Sequence, residues 1–304
     1  MQPAEASSPA TGIRALRVYL EMIKVEHSIF ALPFAMLGMV WASRSIGGSG
    51  WPGWDVFLLI VLAMVSCRSA AMAFNRIADR DLDARNPRTR IRALPAGLLS
   101  LRQASLFFFG SCAAFFVSAA LLNTLALALS PVALGLVLGY SYTKRFSPLS
   151  HFVLGLSLGV APAAAWIAVT GSIDWRILPI TAAVTLWTAG FDVLYALQDE
   201  EFDREQGLRS LPETMGKARA LLVSRICHAG AVAFLVWGGL LLSAGAAYYG
   251  GVAFAAALLA YEQSLVKPND LSRVNVAFFT LNGYVSIGLF AFALADVFFG
   301  GRSA

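Results

Sequence analysis

Long runs of apolar residues without charged side chains constrain the fold of this chain more than any other feature. Only 13% of the residues are charged and 58% are hydrophobic, whereas a soluble domain carries about 25% charged residues. A helix that crosses the hydrocarbon core of a bilayer needs about 20 mostly apolar residues. The sequence therefore predicts an all-α, multi-pass membrane bundle that forms a single domain over residues 1–304.

Hydropathy predicts about nine transmembrane helices around a central cavity. The predicted spans are Phe30–Ile46, Val56–Ala73, Leu106–Leu122, Leu125–Leu138, Phe152–Thr170, Ile177–Tyr195, Leu221–Leu242, Tyr248–Ala260 and Val276–Phe298. The fourth and the eighth are short, and they reach full length only with their flanking residues.

The charge of the loops between these spans predicts their orientation. Basic residues collect in alternate loops, at 76–102, 144–145, 204–219 and 267–273, while the opposite loops hold few charges. Because cytoplasmic loops are enriched in Lys and Arg, we expect the N-terminus and these basic loops in the cytoplasm, at a bacterial-type inner membrane. The net charge of +5 lies in loops beside spans and does not indicate binding of nucleic acid.

Acidic residues with helical spacing end the second and the sixth predicted span. Asn75, Asp79 and Asp83 recur every four residues, and Asp199 and Asp203 repeat that spacing at the same predicted membrane face. Residues one turn apart share a helix face, and carboxylate and amide oxygens suit Mg²⁺. A single acidic run is more often a solvated face. The repetition at one face favours a metal site.

Basic residues follow the acidic groups and are candidates for binding a diphosphate, because arginine forks and lysine charges complement phosphate oxygens. The candidates are Arg88, Arg92, Lys144, Arg145 and Arg209. For the Lys-Arg pair, anchoring of a helix end at the membrane surface is an equally good interpretation. The tetrapeptides RALP and RSLP, which begin at Arg92 and Arg209, indicate two related halves.

A further arginine, Arg68, lies inside the second predicted span, seven residues before Asn75 and so on the same helix face. A guanidinium within a membrane needs a partner or a water-filled cavity. Two interpretations follow: Arg68 binds an anionic group of a substrate in the cavity, or it pairs with a carboxylate such as Asp192.

These motifs resemble those of the UbiA superfamily of membrane polyprenyltransferases, and the resemblance covers nearly the whole chain. That family carries N-D-x-x-D-x-x-x-D after its second helix and D-x-x-x-D after its sixth, with Asp192 and Tyr195 standing upstream of the second motif here. Residues 87–95 and 140–145 of this chain are similar to the basic segments of that family. One position departs, since Arg76 stands where much of the family has Asp. The next residue lies about 100° around a helix, so we expect Arg76 to point away from the metal site.

The resemblance implies a Mg²⁺-dependent transfer of a polyprenyl group from a polyprenyl diphosphate to a ring carbon of an aromatic acid in quinone biosynthesis. Asp192 and Tyr195 lie one to two turns deeper than the metal aspartates, where we expect them to orient the acceptor or take its proton; packing is an equally good interpretation of Tyr195. Local strings such as Asn86-Pro-Arg-Thr are similar to the branch that makes menaquinone through futalosine, with a dihydroxynaphthoate-type acceptor. The other expected acceptor is 4-hydroxybenzoate. Intramembrane charge also marks transport paths, so a divalent-cation or small-molecule transporter is the alternative function.

Overall fold

A computed structural model describes residues 12–23 and 28–299, and the regular structure in these ranges is helical apart from one isolated bridge. The helices are α1 (Gly12–Ile23), α2 (Ser28–Ser45), α3 (Trp54–Ala78), α4 (Arg80–Arg85), α5 (Leu101–Leu122), α6 (Thr124–Thr143), α7 (Ser150–Gly159), α8 (Ala161–Thr170), α9 (Leu178–Ala196), α10 (Glu200–Gln206), α11 (Leu211–Met215), α12 (Lys217–Leu241), α13 (Ala246–Leu265) and α14 (Asn282–Phe299). A π-helical segment, Val276–Leu281, precedes α14. The all-α prediction is confirmed.

Seven helical segments of the described part are long and apolar enough to cross a membrane. They are Trp54–Ala78, Leu101–Leu122, Thr124–Thr143, Ser150–Thr170, Trp175–Ala196, Lys217–Leu241 and Val276–Phe299. The chain is therefore a multi-span membrane protein, as predicted. The other two predicted spans fold as α2 and α13, but they are not among the seven, and the count of nine is not confirmed.

Helix α9 lies at the centre of the bundle, where it packs against α7, α8 and α12. Its apolar residues, including Trp187 and Phe191, form the largest buried cluster with residues of α2, α12 and α13. A helix that is apolar on most of its faces is buried on most of its faces. The carboxyl-terminal part of α9, which carries Asp192, is therefore held in place from several sides.

Two glycines allow α7 to approach α9 closely. A Cβ atom on Gly155 would overlap the carbonyl oxygen of Thr185, and one on Gly159 would overlap the hydroxyl of the same threonine. Small residues at helix contacts let backbones come close in membrane proteins. The contact fixes α7 against α9.

The helices enclose a cavity of about 1090 Å³, which confirms the predicted central cavity. Its walls come from most of the helices between α1 and α9 and from the π-helical segment before α14. One end is polar and is lined by the acidic residues at the ends of α3 and α9. The interior is lined by small or aliphatic side chains such as Ala161, Ala165 and Leu122. Such a cavity suits a ligand with a charged head and an apolar tail.

We predict that Gly155→Ala lowers the midpoint of thermal unfolding in detergent, because the added methyl group forces α7 away from α9. Overpacking of this kind costs about 1–3 kcal/mol. Gly139→Ala is the matched control, since Gly139 lies in helix α6 and a Cβ there meets nothing within 4 Å. Equal unfolding midpoints for the two variants would contradict the close contact between α7 and α9.

Candidate active site

The two acidic groups lie at two helix junctions with nearly the same backbone geometry. Asp79 joins α3 to α4 with φ −97° and ψ 8°, and Asp199 precedes α10 with φ −102° and ψ 4°. Both lie near the sparsely populated bridge region. The backbone N–H of Asp83 still donates to the Asp79 carbonyl at 2.7 Å, and that of Asp203 to the Asp199 carbonyl at 2.8 Å. Helical spacing is thus kept across each break, and all four carboxylates line the cavity together with Asn75.

Three donors surround the buried carboxylate of Asp79, which is 2% exposed. Lys144 Nζ lies 3.0 Å from Oδ2 and Arg145 Nη2 lies 3.1 Å from Oδ1. The side-chain amide of Asn75 donates to Oδ2 at 3.1 Å. The Lys-Arg pair that follows α6 therefore reaches the first acidic group instead of only anchoring a helix end.

Asp83 is also buried, and two arginines neutralise it. Arg92 Nη1 lies 2.7 Å from Oδ1, and Arg76 Nη1 lies 3.5 Å from Oδ2. The expectation that Arg76 points away from the acidic group is wrong. Seven residues are close to two full helical turns, so Arg76 and Asp83 share a face, and a buried guanidinium needs a counter-charge.

Arg88 connects the segment after the first acidic group to the second acidic group. Its guanidinium forms a fork with Asp199, with Nε 3.1 Å from Oδ1 and Nη2 2.5 Å from Oδ2. Its Nη1 donates to the hydroxyl of Tyr195 at 2.9 Å. Lys144 makes a second connection, because its side chain reaches Asp79 while its carbonyl accepts from the backbone N–H of Arg209 at 2.7 Å. The two helix junctions, which are more than 100 residues apart in sequence, therefore meet at one end of the cavity.

Other residues singled out in the sequence fall at different depths. Arg68 is partly buried in α3 and lines the cavity, which Asp192 also lines. The Arg209 side chain is exposed and does not line the cavity, so the similarity of the two tetrapeptides does not extend to a shared position for their arginines.

Burial raises the pKa of the Asp203 carboxyl above its ordinary value, although a hydrogen bond from Ser210 acts in the opposite direction. A nearby metal ion would favour its charged form.

Asp192 lies two turns before Asp199, lines the cavity, and pairs with a residue that sequence reasoning missed. Nδ1 of His151 lies 2.7 Å from Oδ2 of Asp192. The available signal was a histidine directly before the predicted span Phe152–Thr170 and inside the observed segment Ser150–Thr170, since ionisable residues within membrane segments are rare and mark functional sites.

The donor chemistry of this site suits Mg²⁺, although the carboxylates do not form a ready-made cage. In residues 12–23 and 28–299, no group of three or more His, Cys, Asp or Glu side chains is placed to hold a metal ion. The reason is visible in the ion pairs, because Asp79, Asp83 and Asp199 each face basic side chains. Proteins usually hold Mg²⁺ through a few carboxylates together with substrate phosphates, and an open set of carboxylates lining a cavity fits that mode.

Comparison with known protein families adds a family assignment to this geometry. The model of the UbiA prenyltransferase family matches residues 31–284, which is most of the chain. This chain belongs to the UbiA prenyltransferase family. It is accordingly a prenyltransferase enzyme, and the transporter alternative has no support from the comparisons.

Relatives and solved structures of the family are similar over nearly the full length. A 4-hydroxybenzoate octaprenyltransferase of Vibrio cholerae is 30% identical, over 94% of this chain and 99% of the relative. A UbiA homolog from Aeropyrum pernix K1 is 38% identical with a TM-score of 0.80, covering 90% of this chain and 98% of that one. A UbiA homolog from Archaeoglobus fulgidus bound to GPP and Mg²⁺ shares the fold, with 20% identity, a TM-score of 0.70 and coverage of 92% and 99%. None of these names confirms the futalosine branch.

We predict that Arg88→Lys raises the KM for the prenyl donor by about 10-fold or more, because lysine cannot form the planar fork that arginine makes. Steady-state kinetics in detergent or nanodiscs would measure it. Arg90→Lys is the matched control, since Arg90 is exposed and does not line the cavity. Identical donor KM values in both variants and the wild type would contradict a role of Arg88 at the site.

Proposed function

We propose that this prenyltransferase transfers a polyprenyl group from a polyprenyl diphosphate to a ring carbon of an aromatic acid, with Mg²⁺, in a quinone pathway. The observation that supports the proposal most is the meeting of two acidic helix junctions and two segments that carry basic side chains at the polar end of one apolar cavity. We also propose that residues 1–304 form one domain in a bacterial inner membrane, with the N-terminus and the basic loops in the cytoplasm.

The polar end of the cavity is the proposed site of the donor diphosphate. The residues that would hold the metal are Asn75, Asp79, Asp83, Asp199 and Asp203. Bound there, Mg²⁺ supplies a Lewis acid that neutralises charge on the leaving diphosphate. Arg88, Arg92 and Lys144 already touch the same carboxylates. Turned towards the diphosphate, they place positive charge where negative charge grows as the C–O bond breaks.

The prenyl tail occupies the apolar part of the cavity in this proposal. The wall formed by α8 carries alanines, Ala161, Ala165 and Ala168, and these leave room for a chain of methyl-branched units. Phe278 of the π-helical segment lines the cavity nearer the polar end, where its ring centroid lies 4.2 Å from that of Tyr195. π-Helical turns are frequent at functional sites, and this one places an aromatic ring beside the region where the allylic carbon reacts.

The acceptor binds between the diphosphate site and the apolar interior, beside Asp192, Tyr195 and Arg68. As the C–O bond of the donor breaks, the diphosphate leaves with the electron pair, and the allylic carbon bonds to a ring carbon next to the acceptor hydroxyl. The proton of that ring carbon passes to the Asp192 carboxylate. Tyr195 orients Arg88 through its hydroxyl, and Arg68 supplies a positive charge for the acceptor carboxylate.

The names of the relatives support 4-hydroxybenzoate as the acceptor, while local sequence strings favour a dihydroxynaphthoate-type acid. Both are phenols that carry a carboxylate, so the same three side chains serve either. Purified protein supplied with each acid and with allylic diphosphates of several lengths distinguishes them.

We predict that Asp79→Asn and Asp199→Asn each lower prenyl transfer by about 100-fold or more, since each removes a charged ligand from the metal and diphosphate site. Removal of divalent metal with a chelator should abolish turnover, and Mg²⁺ should restore it. Incorporation of a radiolabelled prenyl group into the aromatic acid is the measurement.

Asp81→Asn is the control for this pair of variants, because Asp81 lies between the same motif residues but its side chain is 78% exposed and pairs with Arg80. It should keep wild-type turnover. Wild-type activity of either site variant, or full activity without divalent metal, would overturn the proposed role of the two acidic junctions.

A further inference from the structure

A buried histidine outside the cavity makes two hydrogen bonds that fix its protonation. His151 lies in the first turn of α7, is 3% exposed, and does not line the cavity. Its Nδ1 lies 2.7 Å from Oδ2 of Asp192, and the backbone N–H of Leu211 donates to its Nε2 at 3.3 Å. A backbone N–H can only donate, so Nε2 carries the lone pair and Nδ1 carries the proton. His151 is therefore a neutral donor to the Asp192 carboxylate.

We propose that His151 is a positioning residue that aims the Asp192 carboxylate at the acceptor ring. The inference rests on the proposed function, in which Asp192 takes the ring proton. The hydrogen bond from Nδ1 holds Oδ2 on the side of α7, and this turns Oδ1 towards the acceptor. Because Asp192 lines the cavity and His151 does not, the histidine acts only through the carboxylate.

The histidine keeps its own proton during the reaction. A proton at Nε2 would break the hydrogen bond from Leu211, and loss of the proton from Nδ1 would break the one to Asp192. The ring proton of the acceptor therefore ends on Asp192, the diphosphate leaves with the electron pair of the C–O bond, and the neutral imidazole is unchanged. This is the orienting role that a fixed hydrogen-bond partner plays beside a general base.

The same contacts tie Asp192 to the second acidic junction. Leu211 begins α11 directly after Ser210, which hydrogen-bonds Asp203. The close approach of α7 and α9 at Gly155 lies one turn from His151 and brings its ring within reach of α9. The position of the proton acceptor is thus set by the segment that also positions part of the diphosphate site.

The test combines three substitutions in the full-length membrane protein. His151→Leu and His151→Asn are made in the wild type and in Asp192→Asn, and kcat, the KM of each substrate and the unfolding midpoint are measured with the aromatic acid that the wild type prenylates. We expect His151→Leu to lower kcat by about 10- to 100-fold while the donor KM stays within about twofold of wild type. His151→Asn, whose amide N–H can replace that of Nδ1, should recover most of kcat.

The double variants separate positioning from a general packing role. If His151 acts through Asp192, adding His151→Leu to Asp192→Asn lowers kcat by less than about twofold more, because residues that act as a unit are not additive. His228→Leu is the control, since His228 is a second buried histidine, lies in α12 and does not line the cavity. It should keep wild-type kcat even where it lowers the unfolding midpoint.

Three results would overturn the inference. Independent, multiplicative losses in the two backgrounds would show that His151 does not act through Asp192. Failure of His151→Asn to recover kcat beyond His151→Leu would show that the hydrogen bond is not what matters. Full activity of Asp192→Asn would remove the base itself. A wild type that prenylates neither aromatic acid would instead contradict the proposed function, on which the inference rests.

Discussion

Neutralisation of buried carboxylates by basic side chains is the interaction on which the rest of this structure depends. Asp79 and Asp83 are 2% and 5% exposed at the end of an apolar cavity, where an uncompensated charge costs several kcal/mol. Their partners come from the loop after α6 and the segment after α4. These ion pairs form when those segments fold over the cavity, so they close this end of the bundle. Arg88, which also follows α4, pairs with Asp199 and so joins the two acidic junctions.

The same pairing explains why the site can exchange partners with a charged substrate. Carboxylates and cations hold one another at distances of 2.5–3.1 Å across the polar end. If a diphosphate binds with Mg²⁺, its oxygens would neutralise the basic side chains and the metal would neutralise the carboxylates. The carboxylates and the basic side chains could then separate without leaving an uncompensated charge. Arg76 differs from the other cations because it is buried within α3 beside Asp83. Arg76 therefore places a positive charge inside the site, at a sequence position where much of the family has a carboxylate.

Local spacing in the sequence predicted the parts of the site that depend on helix geometry. The four-residue intervals among Asn75, Asp79 and Asp83 place them on one face, and the structure keeps that face across the break at Asp79 through the 2.7 Å backbone hydrogen bond. The direction of Arg76 does not follow from the 100° between adjacent helix positions, because the partner that decides it, Asp83, lies seven residues away.

Contacts between distant segments were beyond the reach of these patterns. His151 meets Asp192 across 41 residues and Leu211 across 60, and no periodicity links them. The exposed position of the Arg209 side chain depends on how the chain leaves α10 through Gly207, which has a positive φ of 65°. The tetrapeptide similarity carries no information about that turn. Fold class and membrane character follow from the composition and from the length of the apolar runs. The contacts of His151 with Asp192 and Leu211 depend on how helices distant in sequence pack together.

Binding of one diphosphate by both acidic junctions can be observed in a structure of the protein with Mg²⁺ and a non-reactive thiolo analogue of an allylic diphosphate. We expect the diphosphate to lie between the carboxylates of Asp79 and Asp83 on one side and those of Asp199 and Asp203 on the other, with Arg88 and Lys144 in contact with its oxygens. A diphosphate bound by one acidic group alone, or outside the cavity, would contradict it.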